Sequence, residues 1–346
     1  MAVGGRRRQR AFIGSFTAAG GPGIVTADVD ASTGALTVLS SLDGLPDPSY
    51  LALSPDGDML YAVSETAEGA VAAYRVQGDK PEPAGRPVPT GANGPTHLTV
   101  HGGHVLTADY GSGSVTAVPV RPDGSLADAP SGVLRHTGSG PHTPRQHGPH
   151  AHQVQPDPSG RWTVSVDLGT DSVRVCTLTG GAPVLHRETA LRPGSGPRHL
   201  AFHPDGSYAY VVNELTPTVT VCRWEAADGT LKPLVETAIL PGSPSGDAYP
   251  SGIAVSPDGR FVWTATRGED VLSTFAVEGD GGGLRLIGTV PCGGRWPRAI
   301  TASGGFLYAA NERSGDVSWF AVDPETGLPC RGGSVEVPAA SCVVVG

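Results

Sequence analysis

The chain has 346 residues and a formal net charge of −9, with 16% of its residues charged. That balance supplies no cationic surplus for neutralising a phosphate backbone, so no nucleic-acid partner is expected. The 50 glycines and 32 prolines follow no G-x-y period and read as turn punctuation between many short strands, which excludes a collagen-like or long-helical chain and points to an all-β class.

Residues 1–10 end in Arg6-Arg7-Arg8-Gln9-Arg10. An export signal would continue into an apolar segment, whereas Ala11-Phe12-Ile13-Gly14-Ser15-Phe16 passes straight into turn sequence. A disordered basic tail is expected there, followed by one domain over 11–346. No run of about 18 apolar residues follows, so no membrane-crossing helix is expected.

Phe12-Ile13-Gly14-Ser15 is the first predicted strand. From Pro48 onward one phrase recurs: a proline, two or three variable residues, an alternating apolar strand, then usually Ser or His before Pro-Asp-Gly. Full copies run from Pro48 to Gly57, Pro197 to Gly206 and Pro250 to Gly259, and weaker copies start at Pro95, Pro149 and Pro297. A second strand follows each, such as Leu60-Tyr61-Ala62-Val63 or Tyr208-Ala209-Tyr210-Val211-Val212. Pro-Asp-Gly between two such runs is a hairpin turn, because Pro presets φ and Gly accepts positive φ. A third strand and a variable outer segment complete the unit. The chain starts on a strand of the second type and stops on one of the first type, Pro338–Val345. Pairing the two completes a closed, seven-bladed β-propeller of four-stranded blades and removes the exposed sheet edges.

The segment holding His136, His142, His147, His150 and His152 is Gly/Pro-rich and lacks any zinc or calcium spacing. A loop folding over the channel and offering one or two imidazoles as acid/base groups is expected, with no metal and no cofactor. Five scattered cysteines, Cys176, Cys222, Cys292, Cys330 and Cys342, form no C-x-x-C pair and read as buried, reduced thiols of a cytoplasmic protein. A closed ring offers no edge to a partner, so a monomer is expected.

Propeller topology gathers the start of each first strand and the end of each second strand at one rim. The first set includes His150, Arg198 and Arg298; the second includes Asp109, Asp167, Asn213-Glu214, Arg267 and Asn311-Glu312. Asp109 and Asp167 precede turns and suit a capping role. Arginines among carboxylates suit recognition of a small anionic ligand carrying phosphate or carboxylate.

Pro197-Arg198-His199-Leu200-Ala201-Phe202-His203-Pro204-Asp205-Gly206 followed by Tyr210-Val211-Val212-Asn213-Glu214, together with Arg145-Gln146-x₃-His150-x-His152, resembles the lactonase family of seven-bladed propellers. That family includes propeller-type 6-phosphogluconolactonases and carboxymuconate-lactonizing enzymes. The resemblance covers nearly the whole chain after the tail. It implies hydrolysis of a sugar lactone, with His150, Arg198, Glu214 and Arg267 catalytic and His152, Arg298, Asn213, Glu312, Arg145 and Gln146 contacting substrate. The alternatives are a lactonizing enzyme acting on an unsaturated dicarboxylate, or a non-catalytic propeller that binds a metabolite or a protein.

Overall fold

The computed structural model describes residues 9–346. Most of the expected basic tail, residues 1–8, lies outside the described residues. Arg10, expected to belong to it, instead opens the first strand, Arg10–Ser15. The remainder is β-structure with two short 3-10 turns, and no helix among the described residues is long and apolar enough to cross a membrane.

Seven antiparallel sheets form the blades. From the inside outwards, the first blade is Ala340–Val345, Arg10–Ser15, Ile24–Val29 and Leu36–Leu42. The second is Leu51–Leu53, Met59–Ser64 and Ala70–Arg75, with its outer strand broken into Glu82–Pro83 and Val88–Pro89. The third, fourth and fifth start with the inner strands Pro95–His101, Ala151–Pro156 and Pro197–Phe202. Tyr249–Val255 and Pro297–Ser303 start the sixth and seventh. The first blade is completed from both chain ends, as the sequence indicated: Ala11 faces Val345, Ile13 faces Val343 and Gly14 faces Cys342.

Each blade is sandwiched between two others, so a second strand buries both faces and its sequence is apolar almost throughout. Within Tyr208–Asn213, Ala209 and Val211 pack towards Trp162 and Val164 of the fourth blade. Tyr210 and Val212, on the opposite face, pack towards Val262 and Phe275 of the sixth. The core is therefore a set of interblade layers rather than one mass. The hairpins follow the expected chemistry. Gly57 takes φ +73° and donates to the Ser54 carbonyl at 2.9 Å, while Asp56 accepts from the Asp58 amide at 3.1 Å.

Gly14 allows the ring to close tightly. A Cβ there would sit 2.3 Å from the Pro48 carbonyl oxygen and 2.9 Å from Cys342 Sγ. Gly14→Ala is expected to cost about 1–3 kcal/mol by overpacking, read as a lower midpoint in denaturant unfolding. A wild-type midpoint would show that the closing strand can shift freely.

One sequence expectation changes here. Cys176, Cys222, Cys292 and Cys342 are buried thiols, but Cys330 is exposed on an outer strand. Outer strands also expose Val184, Leu185, Leu234 and Val235.

Candidate active site

The register of the sheets explains how residues reach the channel mouth. In the fourth, fifth and seventh blades the inner strand carries a bulge near its start, and one residue there has no partner on the second strand. Those residues are His152, Arg198 and Arg298. Bulges re-aim side chains out of the ladder. The residue at or just beyond the end of the second strand forms a companion ring that includes Phe16, Glu65, Tyr110, Glu214, Arg267 and Glu312. The expected rim is thus real, with one shift in register. In the fourth blade Ala151, not Pro149, holds the place that Pro197 holds in the fifth, so His152 is the counterpart of Arg198. His150 stands one residue before the strand.

Glu214 is the centre of one group. Its Oε2 lies 2.7 Å from Arg267 Nη2 and 3.1 Å from Arg198 Nε, and its Oε1 accepts from Arg145 Nη2 at 2.6 Å. The carboxylate and Arg198 are almost wholly buried, Arg267 is 8% exposed at its side chain, and Arg145 is 34% exposed. Burial alone would raise the Glu214 pKa, but Arg267, Arg198 and Arg145 outweigh it and hold the group at about 2. Burial and the neighbouring Arg267 push Arg198 down to about 9, still a cation at neutral pH. Backbone carbonyls fix the guanidiniums further: Arg198 Nη1 donates to Ser251 at 2.6 Å and Arg267 Nε to Tyr249 at 3.1 Å. Three cations sharing one anion leave this side of the mouth net positive.

On the seventh blade, Arg298 is held between two carboxylates, 3.2 Å from Glu65 and 3.5 Å from Glu312, and lies over the Phe16 ring at 4.7 Å. Ser49 donates to Glu65. Here one cation meets two anions, so this side is net negative.

Between the two groups lies a band of rings: Tyr50, His97, His199, His152, Tyr110 and His150, with neighbouring centroids 4.0–6.4 Å apart. His152 and His199 are buried beside Arg198, and desolvation followed by that charge holds both well below the usual imidazole range. The same two causes bring His97 to about 3. These imidazoles are neutral. His199 accordingly accepts from Arg198 Nη1 through Nε2 at 3.4 Å.

His150 is only half-buried and stacks on Tyr110 with centroids 4.4 Å apart. Its Nδ1 lies 2.9 Å from the Tyr110 carbonyl oxygen. A carbonyl can only accept, so Nδ1 carries a proton, and in the neutral form of the ring the lone pair is on Nε2. The backbone N–H of His150 donates to Asp167 at 2.9 Å. Asp167, fully buried, also receives Arg174 at 2.9 Å and His136 at 2.6 Å. His136 therefore anchors the start of the histidine-rich loop below the mouth. Gln146 anchors its end by donating to the Leu168 carbonyl and to Asp171. Between these anchors the loop delivers Arg145 to Glu214.

Of the residues expected at the site, His150, His152, Arg198, Glu214, Arg267, Arg145, Arg298 and Glu312 gather at this mouth. Asn213 and Gln146 do not offer their side chains to it. Asn213 is buried and donates to Thr218 and Thr220, while Gln146 is spent on the loop anchor. Asp109, in the place of Asn213, binds Thr107, Ser114 and Thr116, as a scaffold role requires. Tyr50, His97, His199, Tyr110 and Trp296 were not singled out as site residues. The signal for three of them was in the repeat itself: Pro48-x-Tyr50-Leu51, Pro95-x-His97-Leu98 and Pro197-x-His199-Leu200 place a ring two residues after the proline that opens each copy. Among the described residues, no group of three His, Cys, Asp or Glu side chains is arranged to hold a metal ion.

Arginines, carboxylates and neutral imidazoles thus meet at one mouth of a closed seven-bladed ring. The profile of the family described as lactonase, 7-bladed beta-propeller, matches residues 10–345, and the chain belongs to that family. It is 34% identical over 340 residues to a 6-phosphogluconolactonase of Bacillus subtilis, covering 96% of this chain and 97% of that protein. A 6-phosphogluconolactonase of Formosa agariphila is 32% identical and spans 91% of this chain and 93% of its own length. Among solved structures, the periplasmic gluconolactonase of Pseudomonas aeruginosa superposes with a TM-score of 0.91 at 31% identity, covering 98% of this chain and 99% of that one.

Proposed function

We propose that this chain hydrolyses a sugar δ-lactone, 6-phosphogluconolactone, at the mouth centred on Glu214. The observation that carries the reading is the convergence of Arg145, Arg198 and Arg267 on one buried carboxylate, which leaves guanidinium charge available for an anionic substrate. The names of the relatives in Bacillus subtilis and Formosa agariphila support the choice of lactone.

A general base works best with a pKa near the working pH. A carboxylate held at about 2 is a weak base, so Glu214 serves to fix the guanidiniums rather than to take a proton. His150 is assigned as the base. Its Nε2 lone pair removes a proton from water as the water oxygen bonds to the lactone carbonyl carbon. The negative charge that grows on the carbonyl oxygen is stabilised by N–H groups of Arg198 and Arg267, a preorganised oxyanion site. As the ring C–O bond breaks, the imidazolium returns its proton to the ring oxygen. The product is the open hydroxy acid.

Glu65 and Glu312 speak against the lactonizing alternative. A dicarboxylate lying across the mouth would place one carboxylate on the net-negative side. The five cysteines, all unpaired thiols, fit the proposed cytoplasmic setting.

The test is a pH-stat assay of 6-phosphogluconolactone and unphosphorylated gluconolactone, corrected for spontaneous hydrolysis. Acceleration of at least one is expected, and His150→Ala should lower kcat by about 10²–10⁴-fold. Loss of rate for neither lactone in that variant removes His150 from the chemistry; an inert wild-type protein removes the whole reading.

A further inference from the structure

Trp296 immediately precedes Pro297-Arg298 and has φ +65°. Several blades adopt a left-handed residue at this point in the repeat, and two of them use glycine, Gly94 at +61° and Gly196 at +60°. A bulky aromatic residue at positive φ is strained, and such strain persists only where the surroundings impose it. Here they do: the Trp296 amide donates to Asp270 at 2.7 Å, and its carbonyl accepts from the Glu312 amide at 3.1 Å.

The strained residue carries two guanidiniums. Arg313 lies 3.3 Å from the centroid of the Trp296 ring, and Arg267 lies 5.6 Å from it. Arg267 is already committed to Glu214 and to the Tyr249 and Pro250 carbonyls. Arg313 differs from every other arginine placed at this mouth. Arg145, Arg198 and Arg267 share Glu214, and Arg298 has Glu65 and Glu312. The Arg313 side chain has no carboxylate and no hydrogen-bond acceptor among the described residues, although Glu312 is its neighbour in sequence. Stacking fixes the plane of its guanidinium and leaves the N–H edge free, which is the geometry that meets a phosphate with paired hydrogen bonds.

We propose that Arg313, displayed on Trp296 beside Arg267, receives the phosphate of a phosphorylated sugar lactone and sets the preference of the site for phosphorylated over unphosphorylated substrates. The inference rests on the lactone reading above and adds to it the residue that reads the phosphate. Arg313 does not touch the reacting carbonyl, so its contribution belongs to binding and to the choice between substrates.

The experiment compares kcat/KM for 6-phosphogluconolactone and for gluconolactone in the wild type, Arg313→Gln, Arg313→Lys and Trp296→Gly. Arg313→Gln should reduce the ratio of the two kcat/KM values at least about tenfold, mainly through KM for the phosphorylated lactone, as expected for one lost charge-assisted contact. Arg313→Lys should recover part of the ratio, and Trp296→Gly should lower it. An unchanged ratio in Arg313→Gln overturns the proposal, as does an equal fall for both lactones. If the wild type opens no lactone, calorimetry with 6-phosphogluconate and gluconate separates the two ideas. Tighter binding of the phosphorylated acid that disappears in Arg313→Gln sustains the phosphate subsite without the hydrolysis. Equal binding of the two acids by the wild type removes the subsite.

Discussion

Glu214→Ala is expected to lower kcat/KM on the sugar lactone by at least about a hundredfold, the scale of losing a preorganised electrostatic site. It should also cost about 3–5 kcal/mol of stability, as when one partner of a buried ion pair is removed. Both effects follow from the same bookkeeping of charge. Arg198 and Arg267, nearly buried, and Arg145, partly so, are balanced by this single carboxylate. Without it, three cations repel one another in a site with little water to screen them. Glu214→Gln keeps the shape but not the charge and should be nearly as damaging. Combining Glu214→Ala with Arg198→Ala should restore part of the lost stability, because a cation is removed along with the anion. Urea unfolding of the four proteins measures this; a Glu214→Ala variant within about 0.5 kcal/mol of wild type, the range of a neutral surface change, would sink the charge-balance account.

The same group sets an acid limit on stability. Folding depresses the Glu214 pKa from 4.5 to about 2, so the folded protein resists protonating it more than the unfolded chain does. The stabilisation, on the order of 3 kcal/mol, is complete above pH 4.5 and is lost as pH falls towards 2. Glu214→Gln lacks this titration, and its stability should fall less steeply across that window.

Much of this site was legible in the sequence because it is periodic. Arg198, Glu214, Arg267, Arg298 and Glu312 occupy recurring places in the repeat, and the alternation of short strands is enough to align them. At His150 and His152 the repeat falls out of step with the strands. Pro149 looks like the proline that opens other copies, yet the inner strand starts at Ala151, so the proline marked a loop and displaced the alignment. Asn213 misled differently. It sits next to a rim residue, but strand alternation turns it inwards onto Thr218 and Thr220. The contact of Arg145 with Glu214 joins residues 69 positions apart through a loop outside the repeat, and no local pattern could have announced the pair. Trp296 was invisible for a simpler reason. Its meaning lies in a backbone angle, and only the position of Gly94 and Gly196 in other blades shows what would otherwise stand there.

Ending the chain at Ala339 should prevent the protein from accumulating in a folded, cooperative state. The removed strand, Ala340–Val345, pairs with Ala11–Ser15 and buries Ala340, Cys342 and Val343. It also bridges both neighbouring blades: Ser341 donates to the Ser49 carbonyl at 2.8 Å, and the Val343 carbonyl accepts from Thr301 at 2.6 Å. Its hydrogen bonds and buried side chains together are worth on the order of 5–10 kcal/mol, comparable with the whole stability of a typical domain. The loss reaches further than the first blade, because the core consists of layers between blades. Two of those layers, the one shared with the seventh blade and the one shared with the second, would each lose a wall. Arg10–Ser15 would become an unpaired edge strand, a template for association between chains. The truncated protein is therefore expected in the insoluble fraction, or as a soluble species with no cooperative thermal transition. Co-expression of a segment spanning 337–346 should restore soluble, cooperatively unfolding protein, since the vacant edge and both interblade layers specify that strand alone. A truncated chain that melts cooperatively near the wild-type temperature would show that the other six blades hold the ring without closure.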